Sequence, residues 1–330
     1  MPSQRRGGQP SAPPRPVSIL GRPMDPRPSG IRRAAAALLA LALGAAFLVP
    51  TVASANPAGE ADRIRAYWTP QRMASARPLD LVLDRRGEPR PHLGRPAPLA
   101  GASFLTIATP TTPPFSVNGR VFIRIGNQRG YCSGTAIDSP TRQLVLTAGH
   151  CVNAGAENHG NLWYRDLLFV PAYTAGQAPL GAFPARRNKV FAPPQWRRHS
   201  NPGFDLGAFL VEPNNRGIAL ADAVGGGAAI ALDLPRPQRF ASFGYPGNVK
   251  RMQGCNSGYA GDDRLTDPLP GPPTLGIGCH WAPGASGGGW LIEAGTRIDG
   301  LNAYLNLDER SRTYGPYFSR ETVGKLVAGL

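Results

Sequence analysis

Three short stretches of the sequence hold residue types that suit acyl transfer: a base, a carboxylate and a hydroxyl. In residues 131–152, YCSGTAIDSPTRQLVLTAGHCV, an apolar run passes through Thr147, Ala148 and Gly149 into His150 and then Cys151. A cysteine beside the histidine, bonded back to Cys132, would clamp the imidazole on the strands beneath it. General-base chemistry needs that rigidity, because the ring must stay within hydrogen-bond reach of the proton it takes. In residues 201–213, NPGFDLGAFLVEP, Asp205 runs straight into an apolar strand. Burying a lone carboxylate is costly, so this placement makes sense if Asp205 accepts a hydrogen bond from the histidine and fixes its tautomer. In residues 281–291, WAPGASGGGWL, Ser286 sits among glycines. Glycine permits the sharp turns and close approach such a loop needs. The N–H groups of Gly284 and Ser286 are the expected oxyanion hole.

Such residues need a rigid frame. From Arg120 onward Val121, Ile123 and Ile125 alternate, as in a half-buried strand. Short apolar runs follow at 144–146, 167–170, 206–211, 228–232, 240–243, 290–292 and 298–304, separated by Gly, Pro and Asn turns. Many short strands without a long amphipathic helix predict an antiparallel barrel or sandwich. The one clear helix is 319–330, where Val323, Leu326, Val327 and Leu330 share a face. Residues 56–115 are rich in Pro and Arg and read as a pro-segment or linker rather than a core, with a short helix within 56–77.

Composition narrows the classes. Gly 41 and Pro 36 make up nearly a quarter of the 330 residues, which disfavours a helix bundle. The formal charge of +15 is spread thinly: residues 101–330 carry 21 basic and 15 acidic side chains. Arg186-Arg187 and Arg197-Arg198 are doublets, without the clustered, aromatic-interleaved pattern of a nucleic-acid surface. Residues 31–50, IRRAAAALLALALGAAFLVP, combine a positive start with an apolar run too short to span a bilayer, and Val52-Ala53-Ser54-Ala55 supplies the small residues of a cleavage site. Residues 1–55 are therefore expected to be a leader removed after Ala55, with Met24 as the true start and a secreted product. The even set Cys132, Cys151, Cys255 and Cys279 agrees with export. Three pairings are possible. The sequence-local one is expected, Cys132–Cys151 and Cys255–Cys279, each closing a loop worth about 3 kcal/mol. A zinc site is disfavoured, because His150 and Cys151 are adjacent and the other spacings lack paired ligands.

In the order His150, Asp205, Ser286, the three stretches resemble the chymotrypsin-like (trypsin-fold) serine peptidases. LTAGHC resembles the family's histidine motif, FDLGAFLVE its aspartate motif and PGASGGGW its GDSGGP serine motif. Gly244-Tyr245-Pro246-Gly247 looks like the secreted bacterial branch related to glutamyl endopeptidases. The chain order differs from that of α/β-hydrolases and subtilisins. The resemblance covers about residues 116–330. It implies an all-β fold of two six-stranded antiparallel β-barrels, about 116–215 and 225–318, with the triad in the cleft between them and a C-terminal helix. It also implies a secreted serine endopeptidase working through an acyl-enzyme on a protein or peptide substrate. No cofactor, metal, nucleic acid or stable membrane association is expected, and the product is expected to be monomeric. The alternative is a catalytically impaired homologue that binds through the cleft.

The sequence departs from the family pattern at Ala285 (often Asp), Gly289 (usually Pro) and Ala303 (often a Ser supporting the aspartate). Activation by pairing a new N-terminus with residue 285 is therefore not expected. No Asp lies at the pocket floor, so a preference for Arg or Lys is not expected either. His280 and Asn302 are the candidate specificity residues.

Overall fold

A computed structural model of the chain describes residues 57–83, 89–94, 104–156, 160–247, 249–306 and 311–330. The leader, its cleavage site and Met24 lie outside the described residues. Among the described residues, no helix is long and apolar enough to cross a membrane.

The strands in chain order are β1 (Arg77–Leu83), β2 (Pro89–Leu93), β3 (Leu105–Thr106), β4 (Asn118–Ile125), β5 (Gln128–Ile137), β6 (Leu144–Thr147), β7 (Arg165–Pro171), β8 (Phe183–Phe191) and β9 (Gly207–Val211). They continue with β10 (Ala229–Ile230), β11 (Arg239–Gly244), β12 (Gln253–Asp262), β13 (Leu275–Ile277), β14 (Gly289–Ile292), β15 (Arg297–Leu301), β16 (Leu305–Asn306) and β17 (Thr313–Gly315).

Strands β4 to β9 close into a six-stranded antiparallel barrel, pairing in the order β4-β7-β8-β9-β6-β5 and back to β4. The β4–β5 hairpin turns through Gly126 at φ +56°, a backbone state glycine adopts without penalty. Inside, Val121, Leu146, Phe169, Phe183, Phe209 and Val211 are fully buried. The second sheet runs β10-β15-β14-β11-β12-β13-β17 with β3 on the outer side of β12. Past the end of β15, Tyr304 bridges to Tyr314 of β17, so the chain after β15 returns to the far edge of the sheet. Its core is built on Phe240, Leu275, Ile277, Trp281 and Trp290. This is the all-β, two-barrel architecture expected.

The C-terminus opens with a capping box. Thr322 N–H donates to Ser319 Oγ, and Ser319 N–H to Thr322 Oγ1. A wide π-turn, Arg320–Gly324, precedes a short α-helix, Lys325–Ala328. The expected helix is thus present at the right place, with a looser first turn.

The segment before the barrels contributes side chains to the core. Two helices, Pro57–Tyr67 and Pro70–Ala74, pack against the first barrel, and Ile64, Trp68, Leu79, Leu81 and Leu83 belong to the main hydrophobic core. Buried Asp166 anchors the helices: its carboxylate pairs with Arg63 at 2.8 Å and Arg124 at 2.7 Å, and its carbonyl accepts from Trp68 Nε1 at 2.5 Å.

One buried carboxyl makes stability depend on pH. Asp299, in β15, is 4% exposed and its Oδ1 has no partner among the described residues. Burial pushes its pKa up from about 3.8 to about 7. The folded chain therefore holds a proton that the unfolded chain releases. The stability associated with that proton is complete below about pH 4 and is lost as pH rises toward 7, at up to about 1.4 kcal/mol per pH unit. Asp299→Asn is expected to flatten this decline. Denaturant titration of both proteins at pH 5 and pH 8 checks it, and an equal loss in the variant would count against this assignment.

Candidate active site

His150 lies on a 3₁₀ turn, Gly149–Cys151, immediately after β6. Its Nδ1 is 2.8 Å from Asp205 Oδ2, and its backbone N–H donates to Asp205 Oδ1 at 2.7 Å. Both carboxylate oxygens are therefore engaged by the same residue, which satisfies the buried charge that the sequence placed at the strand start. Asp205 is delivered by the 3₁₀ turn Pro202–Phe204, held by a bond from Gly203 N–H to Asn201 Oδ1 at 2.9 Å. The turn before the histidine must be glycine. A Cβ on Gly149 would come 2.9 Å from both Asp205 Oδ1 and the Trp196 ring.

With Nδ1–H donated to the carboxylate, the lone pair of the neutral ring is on Nε2. Nε2 is buried and has no hydrogen-bond partner among the described residues. The disulfide Cys132–Cys151 ties the histidine turn to β5, and Cys255–Cys279 ties β12 to the segment before the serine loop. Both pairings are those expected. The sulfurs of Cys132 and Cys151 lie with a His150 ring nitrogen inside a 4.8 Å cluster, but a disulfide offers no thiolate to a metal.

Ser286 sits in the loop between β13 and β14. Gly288 N–H donates to Ala285 O at 3.0 Å and Gly287 N–H to Asn302 O at 2.6 Å. Gly287 has φ +82°, and a Cβ there would overlap Thr147 Oγ1 and Ser133 O. The loop is fixed to the first barrel by Ser133. Its N–H donates to Ser286 O at 2.7 Å, and its hydroxyl donates to Gly284 O at 2.9 Å. The same hydroxyl accepts from Tyr245 N–H at 2.9 Å. Sequence reasoning missed Ser133. The only trace was a polar residue following a cysteine inside an apolar strand.

The wall beside Ser286 is made by Trp281, Ala282, Ala285, Asn302, Ala303, Tyr304, Leu305 and Thr313, together with Asp80 from β1. A larger hollow, between Leu105, Phe115 and Phe243, excludes Ser286, so chemistry rather than size locates the site. Asn302 is on the wall, but its amide is occupied. Oδ1 accepts from Ser242 Oγ at 3.0 Å and Trp290 Nε1 at 2.7 Å, while Nδ2 donates to Phe243 O and Ala285 O. His280 is half-buried and is not part of this wall. Asn302→Ala is expected to cost about 3 kcal/mol or more, because it strands two buried donors and two carbonyls. Denaturant unfolding measures this. A stable variant with altered cleavage preference would instead make Asn302 a recognition residue.

The expected oxyanion donor Gly284 has φ +98° and its N–H donates to Leu79 O, in β1, at 3.1 Å.

Two barrels, a His–Asp pair on the first and a strapped serine loop on the second define a trypsin-fold protease. The chain belongs to the chymotrypsin-like serine proteases. It is 30% identical to the protease Anisep from Arthrobacter nicotinovorans, covering 90% of that protein and 62% of this chain with a TM-score of 0.55. It is 25% identical to the thermostable serine protease AL20 from an extremophilic microorganism, covering 96% of that chain and 65% of this one with a TM-score of 0.57. A Glu endopeptidase shares the fold at 16% identity and a TM-score of 0.54, over 95% of its length and 68% of this chain. No family model and no curated protein sequence matches the chain.

Proposed function

We propose that this protein is a secreted serine endopeptidase in which His150, Asp205 and Ser286 form the catalytic triad. The observation that carries the reading is the doubly bonded Asp205–His150 pair, which leaves a buried Nε2 without a partner among the described residues. In the proposed mechanism His150 Nε2 takes the Ser286 hydroxyl proton while Oγ attacks a peptide carbonyl. The N–H groups of Gly284 and Ser286 receive the developing oxyanion. His150 returns the proton to the departing amine, and water then cleaves the acyl-enzyme by the same route. Asp205 keeps the ring in the required tautomer and stabilises the imidazolium.

The two disulfides fit an oxidising compartment, and with the leader they support secretion. The glutamyl-endopeptidase branch rests on Gly244-Tyr245-Pro246-Gly247 and a shared fold. Prolonged incubation with a fluorophosphonate probe tests the reading. Labelling is expected at Ser286 and should vanish in Ser286→Ala and His150→Ala. No label, with no hydrolysis of a peptide library, would favour a binding protein built on the same fold.

A further inference from the structure

Strand β1 crosses the cleft. Arg77 and Pro78 pair in parallel with Gly130 and Tyr131 of β5, in the first barrel. Four residues later, Val82 and Leu83 pair in parallel with Leu305 and Asn306 of β16, beside the serine loop. Between them, Leu79 O accepts the Gly284 N–H at 3.1 Å, and Asp80 lines the wall next to Ser286. His150 is fully buried and Ser286 only 5% exposed, although an endopeptidase must admit a polypeptide to both. The strand is held from behind: Leu79, Leu81 and Leu83 are buried, and β2 pairs along it from Leu79↔Leu93 to Leu83↔Pro89.

We infer that residues 77–83 are an inhibitor built into the chain, lying through the cleft with the Leu79 carbonyl in the oxyanion hole and the strand reversed relative to a cleavable substrate. The inference rests on the proposed roles of His150, Gly284 and Ser286. Reversal explains why the strand can occupy the site without being cut. If Ser286 attacked the Leu79 carbonyl, the Leu79–Asp80 bond would break and the Asp80 nitrogen would need a proton from His150. Histidine stands on the first barrel, and the chain carries the Asp80 side toward Leu305 on the second. The segment thus fills the oxyanion hole and the substrate-pairing edge while withholding its leaving group from the acid. Ala285 removes the usual partner for a new N-terminus, and control by withdrawal of a strand needs none.

The test uses the full chain and the triple variant Leu79→Ser, Leu81→Ser, Leu83→Ser, which removes the apolar anchors of β1 and leaves every residue of the two barrels unsubstituted. The single variant Leu81→Ser serves if the triple variant does not fold. Fluorophosphonate labelling of Ser286 is expected to be at least about tenfold faster in the variant, as for a parent that opens only a small fraction of the time. A synthetic peptide of residues 77–94 should slow it again. Amide exchange at Gly284 should be protected in the parent and released in the variant. Equal labelling rates and equal Gly284 exchange would overturn the inference and leave the peptidase reading standing. Released exchange with no labelling of either protein would uphold the occupancy and overturn the peptidase reading.

Discussion

Ser286→Ala is expected to lower peptide hydrolysis by roughly 10⁴–10⁶ in kcat with little change in KM, and to abolish fluorophosphonate labelling. The fall is large because the variant loses the nucleophile and with it the acyl-enzyme route. The residue left behind is small, and the loop is positioned by main-chain bonds that alanine keeps: Ser286 O to Ser133 N–H, and Gly287 N–H to Asn302 O. The fold should therefore survive, which thermal unfolding checks. The comparison belongs in the background that carries the three serines in β1, so that an occupied cleft does not mask the ratio. Near-parental turnover in Ser286→Ala would remove the serine from the mechanism.

Asp205→Asn should come close behind, with kcat lower by roughly 10⁴ near neutral pH. Asp205 accepts two bonds from one residue, at the backbone N–H and at Nδ1. An amide can accept only through its oxygen. If that oxygen keeps the backbone N–H, the NH₂ group faces Nδ1 and favours the ring with its proton on Nε2, where the base is needed. The defect should ease at high pH, where serine deprotonation depends less on the histidine. A loss unchanged between pH 7 and pH 10, or an inability to fold, would point to a structural rather than a tautomeric role.

How much was legible follows from what each residue contributes to a pattern. His150 and Asp205 were readable as a pair because each interrupts an apolar run, and a buried charge demands a partner. Their contact is present at 2.8 Å. The disulfide pairings were readable from spacing and export. Strands β8 (FPARRNKVF) and β12 (QGCNSGYAGD) were not, because they lack the alternation that marks a half-buried strand. β1 does alternate, with Leu79, Leu81 and Leu83 on one side, but Arg77 and Pro78 made it look like linker. Asn302 was expected as a specificity residue; it lies on the wall beside Ser286, with its amide bonded inside the protein. Its four bonds, all to groups distant in sequence, left no mark in the sequence. The Gly284–Leu79 contact is main chain to main chain, and side-chain identity does not encode it.

The histidine turn, its disulfide and the strap that holds the serine loop all converge on β5, within two consecutive residues, Cys132 and Ser133. Donor and acceptor of the proposed proton transfer are therefore referenced to a single strand, although they are carried by different barrels. A slight breathing of one barrel against the other would alter the width and lining of the groove that a polypeptide enters, while the histidine turn and the serine loop both stay tied to β5. Evolution could then retune what is cut by changing the second barrel, with the chemistry insulated from each adjustment.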